Sequence, residues 1–181
     1  MKKFPLYFFL LLFLSAIAFF LIFHFESTKF HTVTVGGKFS ISIPEYLSKT
    51  DSIDSSALLQ CKNEKEQIFV LIYEETDTTY QSLDNSFRKF SDDFIAKMEH
   101  GNLVRYFPIK INNHDAFIGN IRGNARETNV YYRIAEIKVS DKIYKIIIGT
   151  TENNKSRYDE DMDKIIRGFE AIKIACEPSQ D

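Results

Sequence analysis

The chain has 181 residues, of which 44% are hydrophobic and 14% aromatic, and its formal net charge is −2. This supports one packed domain with an appendage. It excludes disorder and the strongly basic surface of a nucleic-acid-binding protein.

The first element is the apolar run from Phe4 to Phe25, which contains no Asp, Glu, Lys or Arg. As a helix it would reach about 33 Å, enough for a hydrocarbon core of about 30 Å. A cleavable signal peptide is the competing reading, with Lys2 and Lys3 as its basic start and Ala16-Ile17-Ala18 as its cleavage site. Signal peptides have shorter apolar regions, about 7–15 residues, and cutting there would leave FFLIFHF at the new N-terminus. Residues 1–25 are therefore expected to remain as a membrane anchor, with residues 4–25 in the bilayer. Lys2 and Lys3 precede the span, while Glu26 and Lys29 behind it cancel. The N-terminus is thus expected in the cytoplasm and the domain on the extracytoplasmic side, periplasmic or cell-surface. Without Lys2 and Lys3 the exported part has 21 basic and 25 acidic residues, a net of −4. Such a domain is not expected to lie flat on anionic lipid.

Residues 26–34 read as a short tether, 35–173 as the domain, and 174–181 as a polar tail. After the turn signal Gly36-Gly37, FSISI alternates with period two and stops at Pro44, a half-buried strand. Ala57 to Cys61 and Gln67 to Tyr73 flank a polar turn and predict a hairpin. The run IFVLIY is apolar on both faces, so its strand should be central. Tyr80, Leu83, Phe87, Phe90, Phe94, Ile95 and Met98 recur at helical spacing, with Gly101-Asn102 expected to cap the C-terminus. Four strands follow, Leu103 to Ile111, Asp115 to Arg122, Val130 to Val139 and Lys142 to Thr150. The short turns between most of them force antiparallel pairing. IYKIII, in the last of these, should again be interior.

The stretch SRYDEDMDKIIRGFE resembles a calcium loop in its alternating Asp159, Asp161 and Asp163 and its closing Glu170. A calcium loop needs a glycine at its sixth position, where this chain has Lys164. Tyr158, Met162, Ile165, Ile166, Phe169 and Ile172 instead form one helical stripe through it, with Ser156 and Asp159 expected as a capping box. No GxSxG, phosphate loop or HExxH occurs, and the four histidines are scattered. No catalytic, cofactor or metal-binding residue is assigned. Cys61 and Cys176 are expected either as a disulfide, which an oxidising compartment permits, or as two buried thiols. Around the loop GNARETN stand Arg122, Arg126 and Arg133, with Tyr131 and Tyr132 beside them. Arg and Tyr are enriched where interfaces bind tightly, so these five are the candidate partner-binding residues; a solvated hairpin end is the alternative.

Taken together, Pro44 closing the first strand, Asn113-His114-Asp115-Ala116-Phe117, Tyr144-Lys145-Ile146-Ile147 and Ile165-Ile166-Arg167-Gly168-Phe169 make the stretch from Phe39 to Ile172 similar to PsbP-like domains. Tyr46 departs from that pattern, since relatives often carry Trp shortly after the proline. The resemblance implies an α+β fold, an α/β/α sandwich with a central antiparallel sheet of six to seven strands and two main helices, here behind an N-terminal transmembrane helix. It carries over no catalytic residue and no cofactor, and most members of the family act by binding another protein. The expectation is a non-enzymatic, membrane-anchored, extracytoplasmic module that binds a protein partner in envelope assembly or maintenance. The alternatives are a small-ligand or lipid-binding domain and, third, an enzyme of unrecognised type.

Overall fold

A computed structural model of the chain describes residues 28–77 and 82–172. The expected membrane anchor, the polar tail and Cys176 lie outside the described residues. Among the described residues no helix is long and apolar enough to cross a membrane.

In chain order the strands and helices are β1 (Phe30–Val35), β2 (Phe39–Pro44), β3 (Ser48–Lys49), β4 (Leu59–Asn63), β5 (Ile68–Thr76), α1 (Leu83–Ile95), β6 (Glu99–Ile111), β7 (His114–Ala125), β8 (Thr128–Val139), β9 (Lys142–Thr151), α2 (Lys155–Arg167) and β10 (Glu170–Ala171). A 3-10 turn, Glu152–Asn154, joins β9 to α2. Seven strands form one antiparallel sheet in the order β3-β4-β5-β9-β8-β7-β6, and β1-β2-β10 form a second, smaller sheet.

The two apolar runs expected at the centre are there. β9 is the middle strand of seven, β5 lies beside it, and Val70, Ile72, Ile146 and Ile148 are fully buried. Two-residue turns set the neighbouring hairpins. Asn112 and Asn113 both take positive φ (45° and 69°), the conformation such a turn requires and one that Asn tolerates. Arg126 and Glu127 do the same, so the seven-residue loop read between β7 and β8 is in fact a tight turn between longer strands. β6 is the outer strand, where Pro108 is tolerated because one side of the backbone needs no ladder partner.

Each face of the large sheet is covered, though not by one helix apiece. α1 packs over β6, β7 and β8, burying Phe87 against Ile121, Ile134, Tyr106 and Phe117. On the opposite face α2 shares the cover with the small sheet. Phe39, Ile41 and Ile43 of β2, together with Tyr158, Met162, Ile165 and Ile166 of α2, join the main core there. The strand FSISI thus lies outside the central sheet and roofs it. Residues expected as a tether also fold, since β1 pairs with β2 from Phe30↔Pro44 to Val35↔Phe39.

Both helix ends differ from the sequence reading. α1 starts on Ser82, whose hydroxyl accepts from the Asn85 amide at 3.2 Å. It stops at Ile95, and Gly101 belongs to β6. A Cβ at that glycine would stand 2.9 Å from Ile95 Cγ2, so the residue permits the strand to pass the helix end instead of capping it. α2 starts at Lys155, which places Ser156 inside the helix, and its N-cap Asn154 makes no side-chain capping bond. The helix does run through the aspartate-rich stretch, and those aspartates diverge. Asp159 meets Arg133, Asp161 accepts from Thr28 and Tyr46, and Asp163 pairs with Arg167.

Candidate functional site

α1 covers only part of its face of the sheet. Beyond it, β5 and β9 run on under a gap, and the segment between β3 and β4 rises on the far side. The result is a cleft of about 520 Å³. Its helix wall is Phe90, Asp93, Phe94 and Lys97; its opposite wall is Ile53, Asp54 and Ser56; and Phe69, Leu71, Tyr73, Tyr132 and Ile147 form most of the floor.

The walls are fixed by specific bonds. The buried Gln60 side chain accepts from the amides of Ile53 and Asp54 at 2.9 and 3.0 Å, and it donates back to the Asp54 carbonyl. Tyr73 donates to Asp54 Oδ2 at 3.0 Å, tying the same loop to β5. The Ser56 hydroxyl and amide, with Tyr73, hold the Asp54 carboxyl below the usual carboxylate range. On the helix side, Phe94 stands edge-on to Tyr132 at 4.9 Å, and Tyr132 meets Phe69 at 6.1 Å. Gly149 makes that aromatic pair possible, because a Cβ there would lie 2.5 Å from the Phe69 ring and 2.6 Å from the Tyr132 ring.

At the inner end of the floor the apolar surface is broken by charge. The Lys145 side chain is only 8% exposed. Its ammonium lies 2.5 Å from Glu75 Oε2, 3.6 Å from Glu136 Oε1, and 5.0 Å from the Phe90 ring centroid. Glu136 is fully buried, and neither of its carboxylate oxygens makes a hydrogen bond of good geometry. Burial pushes its pKa up to about 7 against the pull of Ser86 and Lys145, with the Glu75 charge adding to the rise. Aromatic walls around a few converging polar groups are the usual composition of a small-molecule site.

The five residues expected at a partner-facing loop do not come together. Strand alternation sends Tyr131 and Arg133 to the α2 face and Tyr132 to the α1 face. Arg133 is buried. It donates to the Asp159 carbonyl at 2.7 Å and carboxylate at 2.8 Å, to Asn120 at 3.2 Å and to the Tyr131 hydroxyl at 3.3 Å. It therefore clasps α2 to the sheet, which explains its position without a partner. Arg122 pairs with Glu152 at 3.0 Å, and Arg126 is exposed in the turn. Only Tyr132 of the five lines the cleft. Cys61 is buried in the core, and burial pushes its thiol up to about 11.

Sequence reasoning passed over Lys145, Glu136 and Glu75. The signal was present, since a lysine inside IYKIIIG and a glutamate inside IAEIKV are charges at positions where the pattern demands burial. Gln60 and the cleft-facing side of α1 gave no comparable signal.

No protein-family model matches this sequence, and no curated protein matches it significantly. Solved structures share the fold. The Saccharomyces cerevisiae Ran-binding protein Mog1p superposes with a TM-score of 0.61 at 10% identity, covering 81% of this chain and 97% of that one. The cyanobacterial PsbP of Synechocystis gives 0.59 at 10% identity over 81% and 95%. LpqN of Mycobacterium tuberculosis, involved in cell envelope biogenesis, gives 0.53 at 6% identity over 82% and 93%. The chain has the PsbP-like fold.

Proposed function

We propose that this PsbP-like domain is a non-enzymatic binding module, held on the extracytoplasmic side of a membrane by residues 4–25, and that its binding site is the cleft beside α1. The observation that carries the reading is the cleft itself, about 520 Å³ between two bonded walls with aromatic rings on both helix and sheet. Its contents define the ligand class. Phe69, Phe90, Phe94 and Tyr132 take an apolar body, and the Glu75–Lys145 pair at the inner end takes a polar head, so the ligand is a small amphiphile. The Glu75–Lys145 pair that converges there suits hydrogen bonding and charge neutralisation of a polar head.

Extraction of the full-length protein purified from membranes, followed by mass spectrometry, tests this. A carried amphiphile that disappears from a Phe90→Ala, Phe94→Ala double variant is the expected result. Identical extracts from the two proteins, with no uptake of an apolar fluorophore such as N-phenyl-1-naphthylamine by either, would remove the cleft from consideration.

A second reading, a protein partner in envelope assembly or maintenance, is favoured by the outer strand. β6 is 13 residues long and presents Val104 (46% exposed) and Phe107 (40% exposed) beside unpaired backbone. Strand addition uses such an edge, although Pro108 shortens the available ladder. The likeness to a Ran-binding protein is in keeping with this at the level of fold.

A further inference from the structure

We infer that one end of the sheet is docked against the lipid headgroups, and that the domain does not swing on its anchor. The inference rests on the anchor reading above.

Its basis is the distance from the apolar run to the folded domain. Thr28 is already part of the fold. Its hydroxyl donates to Asp161 Oδ2 at 3.1 Å, where the Tyr46 hydroxyl also donates at 3.0 Å, and Asp161 is buried in α2. Next to it, the Lys29 carbonyl accepts from the Glu45 amide at 2.9 Å. The last residue of the apolar run is Phe25, three Cα steps before Thr28. Three steps reach at most about 11 Å in any conformation. The headgroup layer itself takes up about 5–8 Å of that. Thr28 therefore emerges at the membrane surface, and whatever surrounds it faces lipid.

The register shows what surrounds it. Tyr46 accepts from Asn63 Nδ2 at 2.8 Å, and Tyr158, one helical turn before Asp161, donates to Glu66 at 2.7 Å. The pairs Ile68↔Thr150 and Val130↔Thr151 put the β4–β5 turn, the 3-10 turn and the β7–β8 turn at this same end. Three carboxylates there are matched, Glu64 by Lys62, Glu66 by Arg157 and Glu152 by Arg122, whereas Glu45 beside Lys29, Glu99 opposite Asn124 and Glu127 in the β7–β8 turn are exposed and have no cation partner among the described residues. Lys65 and Arg126, both exposed, have no carboxylate partner among the described residues. The unmatched charges of this end are of both signs, so it is the short reach from Phe25 that brings it against the headgroups. The partner of this surface is the lipid headgroup layer of the membrane that holds the anchor.

The test uses the full chain carrying Cys176→Ser, in vesicles of phosphatidylcholine and phosphatidylglycerol containing headgroup-nitroxide lipid. A fluorophore is attached at Lys65→Cys, Arg126→Cys or Asn113→Cys in separate proteins. Cys61 is 2% exposed and stays unlabelled. Arg126 and Asn113 bracket the 12 residues of β7, about 40 Å at roughly 3.4 Å per residue. Quenching several-fold stronger at positions 65 and 126 than at 113, reduced to near equality by a twenty-residue Gly-Ser spacer after Ser27, is the expected result. Retention of the protein in the membrane with equal quenching at all three positions would overturn the docking alone. Release of the protein by alkaline carbonate would overturn the anchor and the docking with it.

Discussion

Replacing Glu136 by Gln should abolish a specific part of the pH dependence of stability. In the folded chain burial holds this carboxyl near pH 7, against an ordinary value of 4.5. A group whose folded value is raised binds more protons in the native state, so stability falls as pH rises between the two values. The gap of about 2.5 pH units, at about 1.36 kcal/mol each, gives a loss of about 3 kcal/mol that starts near pH 4.5 and is complete just above pH 7. Gln has the shape of the protonated acid and cannot ionise, so the variant lacks this slope. The carboxylates held low, Asp54, Glu64, Glu66, Glu74 and Asp115, lose their contribution as pH falls, below the same window. They act equally in both proteins. Urea unfolding of residues 26–181 at pH 4.5, 6, 7 and 8 checks the difference. The variant should gain relative to the parent by about 3 kcal/mol across the series, with most of the gain by pH 7. Parallel stability curves would refute the assignment, because they would mean that Glu136 ionises as freely in the folded chain as in the unfolded one.

Arg133→Ala should cost about 2–4 kcal/mol, because it removes the clasp on Asp159 and strands buried acceptors on Asn120 and Tyr131. Amide exchange across Lys155–Arg167 should accelerate ahead of exchange in β5 and β9, with Arg133→Lys recovering only part of the protection. Gly149→Ala should push Phe69 and Tyr132 apart, costing about 1–3 kcal/mol and reducing uptake of an apolar fluorophore by the cleft. The Cys61 thiol should resist maleimide at pH 7.5 until denaturant is added, since it is buried and its pKa is raised to about 11. Ellman titration of a Cys176→Ser variant with and without urea measures it.

Much of the fold was legible because burial leaves a period in the sequence. FSISI, IFVLIY and IYKIII declared their faces, and the last two declared their centrality, since only a strand covered on both sides is apolar at every step. What could not be read was assignment to layers. Nothing in FSISI says whether a half-buried strand joins the main sheet or roofs it; that depends on α2, more than a hundred residues away, filling the space beside it. Glycine was misleading for a related reason. Gly101 follows a helical pattern, as a cap would, but its lack of a side chain serves the crossing of β6 past Ile95. The five candidate partner-binding residues were grouped without regard to alternation. A strand period of two parts Tyr131 and Arg133 from Tyr132, a rule that applies to VYYRI as directly as to FSISI, and Arg126 stands in the turn beyond either face.

The charged floor of the cleft is the strongest argument that the cleft is more than a packing gap. Lys145, Glu136 and Glu75 interrupt a sheet face otherwise built from Ile, Leu, Phe and Tyr. Removing such charges from water costs several kcal/mol each, and apolar residues of similar volume would commonly be neutral or more stable. Fold specificity does not require the charges, because the register of β8 on β9 is already set by buried isoleucines on both strands and by the tight turn between them. Membrane proximity does not require them either, since they lie on the α1 face, away from Thr28. The remaining account is chemical. An ammonium held between two carboxylates and an aromatic ring can exchange one of those neighbours for a ligand's polar head, and the carboxylate it leaves, Glu136, is buried where protonation near neutral pH can compensate the change. On this account Lys145→Met should be at least as stable as the parent near pH 5, where Glu136 is protonated, yet should lose the carried amphiphile. Full ligand retention in that variant would mean that apolar contact with the walls suffices, and that the charge cluster has some other cause.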